Sequence, residues 1–420
     1  PVFLEYAALL MAKAEGAQAQ GTKQALLFEA REVINRLHAA EIRDYLQDDC
    51  APSASGDSRA LRLAGDVAVI FPIVFDDRVE VLLQTRDGMR QLPAARVPRA
   101  ALEARVRDLR RRLSDPRRND AARYAATFYD ELFPGLTQSL TARAIHRLVV
   151  VPDGPLRLLP FGALHDGDGW LAERFVVEVM QRLAPARDAL EVGSARSGRA
   201  LLAGVSRFDG VEREALRYVP AELASIRNQW PGPTRTLAEA QFTKRTFIDS
   251  LNGLEPTVVH IATHGTFAGS LEQSYLLTGD GQRLEMEALF APLEALAIRQ
   301  RPVTLVVLSA CETALGGERS AIGLAGVALR AGATYAAGAL WPVPDDGTAR
   351  LFEAFYTELA TQRSDPGFAL AVAQRELIAS RRYAHPAYWS GFQVISSALA
   401  PQAAKPSTTL ATLATSAPEG

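Results

Sequence analysis

The chain has 420 residues, 48% of them hydrophobic and 22% charged, with a formal net charge of -2. That length predicts two or three domains, and the balanced charge gives no global signal for nucleic acid or for an anionic membrane. The two cysteines, Cys50 and Cys311, exclude a disulfide framework and point to a reducing, cytoplasmic setting, while no apolar run approaches the ~20 residues that span a bilayer.

The sequence opens at Pro1 inside what reads as a helix, so it is expected to be a piece of a longer protein. Residues 1–50 are rich in Ala, Leu, Glu, Gln and Arg. Ala25, Leu26, Phe28, Ala30, Val33, Ile34 and Leu37 recur at three- and four-residue intervals, as in an amphipathic helix. A single break near Gly21 predicts a helical hairpin. Such a hairpin suits the end of a helical repeat array, although one unit does not establish a repeat. Residues 51–60, with Pro, Ser, Gly and Asp, read as a linker.

Residues 61–195 read as a first α/β unit. Strands at 67–75 and 79–85 flank Asp76-Asp77-Arg78, which predicts a β-hairpin. Pro72 inside the first of these argues for an edge strand. Helices are predicted at 99–113 and 119–132, and a strand at 148–151. The arginines at 105, 107, 110, 111, 112, 117 and 118 read as a solvated helix face with interspersed acids. No aromatic interleaving supports an RNA-binding face. The unit has no cysteine, and its only histidines are His146 and His165; it is expected to be catalytically inactive.

A second α/β unit is predicted over 196–398. Its strands fall at 200–205, 234–238, 257–262, 303–308, 333–340 and 392–395. Its helices fall at 221–229, 243–251, 285–296, 323–330, 348–360 and 368–380, with a polar hairpin near Gly279 to Gly281. Residues 399–420 are Ala, Pro, Thr and Ser without pattern, and disorder is expected there.

Two stretches of this unit share one design. Residues 257–265 (TVVHIATHG) and 303–317 (VTLVVLSACETALGG) are β-branched apolar runs that end abruptly in small residues. Strands apolar on both faces belong in the middle of a parallel sheet covered by helices. Ligands bind outside the carboxyl ends of such strands, so His264 and Cys311 are expected on one edge. A lone cysteine is most often a buried core thiol, but this one follows its strand where small residues open a turn. Paired with His264, it makes a nucleophile and a base. The His264 imidazole would take the thiol proton, the Cys311 thiolate would attack a carbonyl carbon, and the N–H groups of Gly265 and Cys311 would hold the oxyanion. His260, inside its apolar run, is the better candidate for a histidine satisfied within the core. No metal is expected, because residues four apart on a strand do not converge as they do on a helix. No phosphate-binding glycine loop of recognised spacing is present either, and no cofactor is expected.

The ordered segments His260-Ile-Ala-Thr-His264-Gly265, Leu308-Ser-Ala-Cys311-Glu-Thr313 and Ala339-Leu-Trp341-Pro-Val343-Pro-Asp345 resemble those of the CHAT domain. CHAT domains are caspase-like cysteine peptidases of the clan that includes caspases and separase, often found behind tetratricopeptide repeats. Gly323-Leu-Ala-Gly326, Arg330-Ala-Gly332-Ala333 and His385-Pro-Ala-Tyr388-Trp389-Ser-Gly-Phe392 resemble later segments of the same domain. The resemblance implies a caspase-like three-layer α/β sandwich with a mostly parallel sheet, preceded by an inactive unit as in separase. It implies His264 and Cys311 as the catalytic dyad, and residues 2–50 as the last helices of a tetratricopeptide-type array. One departure stands out: Pro344 follows Val343 where the family more often has an acid. The acid then falls on Asp345 or Asp346.

Asp345 and Asp346 follow the third buried strand, on the edge expected for the dyad. An Asp just before a helix is an ordinary N-cap, so one of them need be nothing more. The other would offer a carboxylate to a cationic side chain, arginine above all. The resemblance points the same way, since the acid after Trp-x-Val in separase-like enzymes lines a pocket for a basic residue. Asp345 fits that place best, with Asp346 and Trp341 as the other substrate-binding candidates. The reading is therefore a cysteine endopeptidase that cuts protein or peptide substrates after Arg, less well after Lys. It would be regulated by a partner acting through upstream helices, with no direct nucleic-acid or membrane partner. Its rivals are a catalytically silent scaffold that binds protein partners and a small-molecule thiol hydrolase with a closed pocket.

Overall fold

The computed structural model describes residues 2–46, 63–184, 198–208, 213–266, 270, 272–309, 332–361 and 364–399. The predicted linker, the tail beyond residue 399, Cys50, Cys311 and the helix predicted at 323–330 lie outside the described residues. Helices α1 (Val2–Gly16) and α2 (Gln20–Leu46) form the expected hairpin, packed through Ala7, Leu10, Met11 and Ala14 against Leu27, Ala30 and Ile34. The break comes at residues 17–19 rather than at Gly21, which lies in the first turn of α2. First-turn N–H groups lack intrahelical partners anyway, so a glycine there interrupts nothing.

Strands β1 (Val67–Val74), β2 (Val79–Thr85) and β3 (Gly88–Gln91) form an antiparallel meander. After α3 (Arg99–Ser114), α4 (Ala121–Leu132) and α5 (Leu136–Thr141), β4 (Arg147–Val150) runs parallel to β1. The short α6 (Leu171–Arg174) leads into β5 (Val176–Val179), parallel to β4. The second part of the chain gives β6 (Ala200–Gly204), α7 (Val219–Gln229), β7 (Thr234–Ala238), α8 (Lys244–Leu254) and β8 (Val258–Ala262). A small sheet of β9 (Gly265–Thr266), β10 (Tyr275–Leu277) and β11 (Arg283–Glu285) follows. Then come α9 (Met286–Ile298), β12 (Leu305–Leu308), β13 (Tyr335–Ala339), α10 (Asp345–Leu359), α11 (Pro366–Ala379) and β14 (Phe392–Ser396).

Among the described residues, eleven strands make one sheet in the order β3-β2-β1-β4-β5-β14-β13-β12-β8-β6-β7. β14 is antiparallel to β13 and parallel to β5, so the two parts of the sheet point opposite ways. The carboxyl ends of β6, β8, β12 and β13 crowd one edge, and those of β1, β4 and β5 leave at the other. Helices cover both faces. One core, with Tyr335, Phe352, Phe355, Tyr356 and Trp389, is continuous across both parts. The opposite face carries two cores, one under α8 and α9 and one under the α1–α2 hairpin. This is the three-layer, mostly parallel α/β sandwich expected from the sequence.

Pro72 does not mark an edge strand: β1 lies between β2 and β4. Pairing with β4 stops at Ile70, however, and the next N–H on that side of the strand, from Val74, goes to Asp153 Oδ2 at 2.9 Å. Alternation places the Pro72 nitrogen on the same side, past the last β4 partner, where no ladder donor is needed. The missed strand β5 is only four residues long. At the seam beside it, Arg147 of β4 bridges Glu178 of β5 and Asp365, which caps α11.

Candidate active site

The two strands that precede His264 and Cys311 in the sequence, β8 and β12, are parallel neighbours. β8 and β12 pair in register with Leu308 opposite Ile261, so His264 and Cys311 each follow that pair by three residues. The Ser309 N–H donates to the Ile261 carbonyl at 2.8 Å, carrying the ladder one step closer to the edge.

His264 is half-buried, with its ring centroid 4.9 Å from that of Phe208. Its Nε2 lies 2.7 Å from the Glu214 carbonyl oxygen. A carbonyl only accepts, so Nε2 carries the hydrogen and the lone pair belongs to Nδ1. The backbone on either side is held as well. The Thr263 hydroxyl donates to the Leu277 carbonyl at 2.7 Å, and Leu277 N–H donates to the His264 carbonyl at 2.8 Å. That bond makes the following pair, Gly265 opposite Leu276, a non-hydrogen-bonded one. The ladder therefore leaves the Gly265 N–H unused, as an oxyanion donor requires.

His260 has the opposite surroundings. It is fully buried, with Nε2 2.8 Å from Glu222 Oε1 and Nδ1 3.1 Å from the Tyr356 hydroxyl. Burial, reinforced by the Glu222 charge, pushes Tyr356 ionisation well above its ordinary range. The hydroxyl thus keeps its proton and donates it to Nδ1, and Nε2–H donates to Glu222. His260 is a satisfied core histidine.

The two acids after β13 differ in their partners. Helix α10 begins at Asp345 itself, without a side-chain cap, so neither acid plays the N-cap role weighed for it at that helix. Asp346 accepts from Arg382 at 2.8 Å. Asp345 Oδ2 instead accepts the Tyr218 N–H at 2.8 Å, at the start of α7. Burial holds the half-buried Asp345 carboxyl above the usual carboxylate range; nearby Glu222 and Asp346 add to this, against the Tyr218 and Arg217 N–H groups. Trp341 lies behind the edge, only 4% exposed. It packs so closely on Gly391 that a Cβ there would come within 3.0 Å of the indole nitrogen and 2.7 Å of Val343.

Three participants were not foreseen from the sequence. The Glu214 contact is made by a backbone carbonyl, which side-chain chemistry cannot announce. Glu222 left a signal: it interrupts the apolar stripe Val219, Leu223, Ile226 of α7, an acid on a core face. Arg110 was grouped with a solvated arginine face. That face is indeed laced with acids, Arg105 on Glu131 and Arg112 on Asp108 and Asp120. Arg110, however, turns inward and donates to the Leu340 carbonyl at 2.6 Å, tying α3 to the turn after β13.

Among the described residues, one group could approach a shared cation: His38, Glu41 and Asp153, with ligand atoms within 4.8 Å of one another. It sits at the opposite sheet edge, where the segment after β4 meets α2. The Arg157 guanidinium already occupies Glu41, Val74 N–H occupies Asp153 Oδ2, and His38 Nε2 is 3.4 Å from Asp153 Oδ1. The Arg157–Glu41 pair clamps the hairpin to the sheet. Burial alone would raise the Asp153 carboxyl, but His38, Arg157 and the Val74 N–H outweigh it and hold it below its ordinary value. A depressed carboxyl contributes stability that is present above the unfolded value of ~3.9 and lost as pH falls through the folded value. Asp153→Asn should therefore cost about 3 kcal/mol at neutral pH, with the deficit shrinking in acid. Thermal midpoints of the two proteins measured from neutral to acidic pH check this; curves that stay parallel would refute it.

No helix among the described residues is long and apolar enough to cross a membrane. No curated protein matches the chain. Among solved structures it is similar to the Arg-specific cysteine proteinase gingipain R (RGPB), at 8% identity and a TM-score of 0.38, over 71% of this chain and 74% of that one. It is also similar to Saccharomyces cerevisiae separase in complex with securin, at 9% identity and a TM-score of 0.48, over 94% of this chain and 34% of that one. A third likeness is to Porphyromonas gingivalis RgpB in the complex of its pro- and mature domains, at 9% identity and a TM-score of 0.38, over 71% of this chain and 75% of that one. A family model described as the CHAT domain matches residues 122–397, a span that runs from α4 through β14 and includes every candidate site residue. The chain belongs to the CHAT domain family.

Proposed function

We propose that this chain is a cysteine endopeptidase that cuts protein or peptide substrates after a basic residue, with His264 and Cys311 as its dyad. The observation that carries the reading is the Glu214 carbonyl on His264 Nε2. That bond fixes the tautomer and turns the basic nitrogen, Nδ1, to proton transfer. In the reaction, Nδ1 takes the Cys311 thiol proton and the thiolate adds to the substrate carbonyl carbon. The oxyanion is held by the N–H groups of Gly265 and Cys311. Collapse breaks the peptide bond as the imidazolium gives its proton to the leaving amine. Water, deprotonated by the same nitrogen, then releases the acyl group and regenerates the thiol.

Asp345 is the acid that meets the basic side chain. Among the described residues its hydrogen-bond partners are backbone N–H groups, and two further carboxylates lie nearby, a setting that a bound cation would relieve. Asp346 flanks it and Trp341 forms the wall behind. The setting is cytoplasmic, and the α1–α2 hairpin is the end of a helical repeat array through which an activating protein partner acts. A peptidyl acyloxymethyl ketone with arginine at the reactive end tests the reading. It should label Cys311 in the wild type and fail to label the His264→Ala variant. Failure to label the wild type under any activating condition would favour the silent scaffold.

A further inference from the structure

One carboxylate reaches both strands that lead to the dyad. Glu222, in the first turn of α7, is 2% exposed. Its Oε1 accepts from His260 Nε2 on β8, four residues before His264, at 2.8 Å. The same oxygen accepts from the hydroxyl of Ser309, which directly follows β12 and precedes Cys311 by two residues. The hydrogens can be assigned without conflict. Tyr356 donates to His260 Nδ1, His260 Nε2–H and the Ser309 hydroxyl donate to Glu222, and the carboxylate only accepts. Its second oxygen is buried and has no hydrogen-bond partner among the described residues. A core selected for stability alone would place an apolar side chain here, because burying an acid whose second oxygen has no partner among the described residues is costly. An acid that interrupts an apolar stripe at that cost, directly behind two functional strand ends, calls for a role beyond packing.

The rest of the segment makes the same connection. Within nine residues, Glu214 gives its carbonyl to His264, Tyr218 gives its N–H to Asp345, and Glu222 joins β8 to the end of β12. We infer that Glu222 is a positioning residue that aligns the ends of β8 and β12, and so sets the approach of the imidazole to the thiol; this rests on the peptidase reading above. Glu222 touches neither substrate nor reacting atoms. It acts through Ser309 and His260.

The test reads the thiol directly, in a Cys50→Ser background so that only one cysteine reports. Alkylation of Cys311 by iodoacetamide is followed across pH, beside kcat and KM for an arginine peptide. Glu222→Gln keeps the side-chain shape but replaces the accepting carboxylate with an amide that satisfies the two donors less well. With wild-type circular dichroism, it should slow alkylation at neutral pH about tenfold, move the alkylation profile to higher pH and lower kcat while KM stays put. A folded Glu222→Gln variant with the wild-type alkylation profile and kcat overturns the assignment. Should that variant fail to fold, Ser309→Ala carries the test, since it removes only the bond to the end of β12; wild-type alkylation in folded Ser309→Ala overturns it equally. The His264→Ala control separates the two levels. If it leaves Cys311 alkylation unchanged, the peptidase reading falls. If it slows alkylation and Glu222→Gln does not, only the role of Glu222 falls.

Discussion

Cys311→Ala should reduce peptide turnover by on the order of 10⁴-fold or more, the scale on which removal of a nucleophile leaves only binding and oxyanion stabilisation. His264→Ala should lose nearly as much, because a nucleophile and its base work as a unit and their losses do not add. His260→Ala should behave differently, although it lies only four residues away. Its ring is buried between Glu222 and Tyr356, and removing it strands the Tyr356 hydroxyl and leaves Glu222 with the Ser309 hydroxyl alone, at about 1–3 kcal/mol for a group left unsatisfied. The expected signature is a lowered thermal midpoint, with turnover in the folded fraction reduced no further than in Glu222→Gln. Turnover and thermal melts of the three variants, measured side by side, decide the matter. Cleavage retained in Cys311→Ala would refute the mechanism. A well-folded but inactive His260→Ala would mean that the wrong histidine has been assigned.

The distinction between those two histidines was legible in the sequence because a strand has a period of two and an end. His260 falls inside the apolar run and His264 beyond it, and the structure buries the first and half-exposes the second. The parallel strands were legible for the same reason: continuous Val, Ile and Leu runs have no polar face to offer solvent. What could not be read was set by contacts distant in sequence. β5 is too short to carry a period, yet it joins the two parts of the sheet through β14. Arg110 has the same local context as its solvated neighbours, and only the fold brings Leu340 to it, 230 residues later. The Pro72 rule failed in the sheet order and held in its physics. The rule concerns a missing donor, and the donor is unneeded wherever the neighbouring strand has already ended. Glu222 was in principle visible as an acid on an apolar stripe, but its partners lie 38 and 87 residues away in sequence.

Asp345 carries the second large expected effect, on specificity. Among peptides that differ only at the residue before the cut, the wild type should prefer Arg, then Lys, and disfavour Asp. A guanidinium can meet a carboxylate through two parallel bonds where an ammonium offers one. Asp345→Ala should lower kcat/KM for the arginine peptide about 10- to 100-fold, the loss expected when one charged hydrogen-bonding partner is removed. Asp346→Ala should do far less, because its carboxylate is already engaged by the exposed Arg382. The pH dependence follows from the direction of the shift. Burial, with Glu222 and Asp346, raises the Asp345 carboxyl, so on acidification it gains its proton at a higher pH than an ordinary carboxylate. KM for the arginine peptide should therefore climb through that higher pH range, and Asp345→Ala should flatten the climb. A raised carboxyl also opposes folding once it ionises, so its burden on stability is present above the folded pKa and absent below the unfolded one. Asp345→Asn, which keeps an oxygen for the Tyr218 N–H, should accordingly fold at least as stably as the wild type at neutral pH while losing the preference for arginine. A preference for Asp, or a basic preference untouched in Asp345→Ala and Asp346→Ala alike, would take the specificity site away from this edge of the sheet.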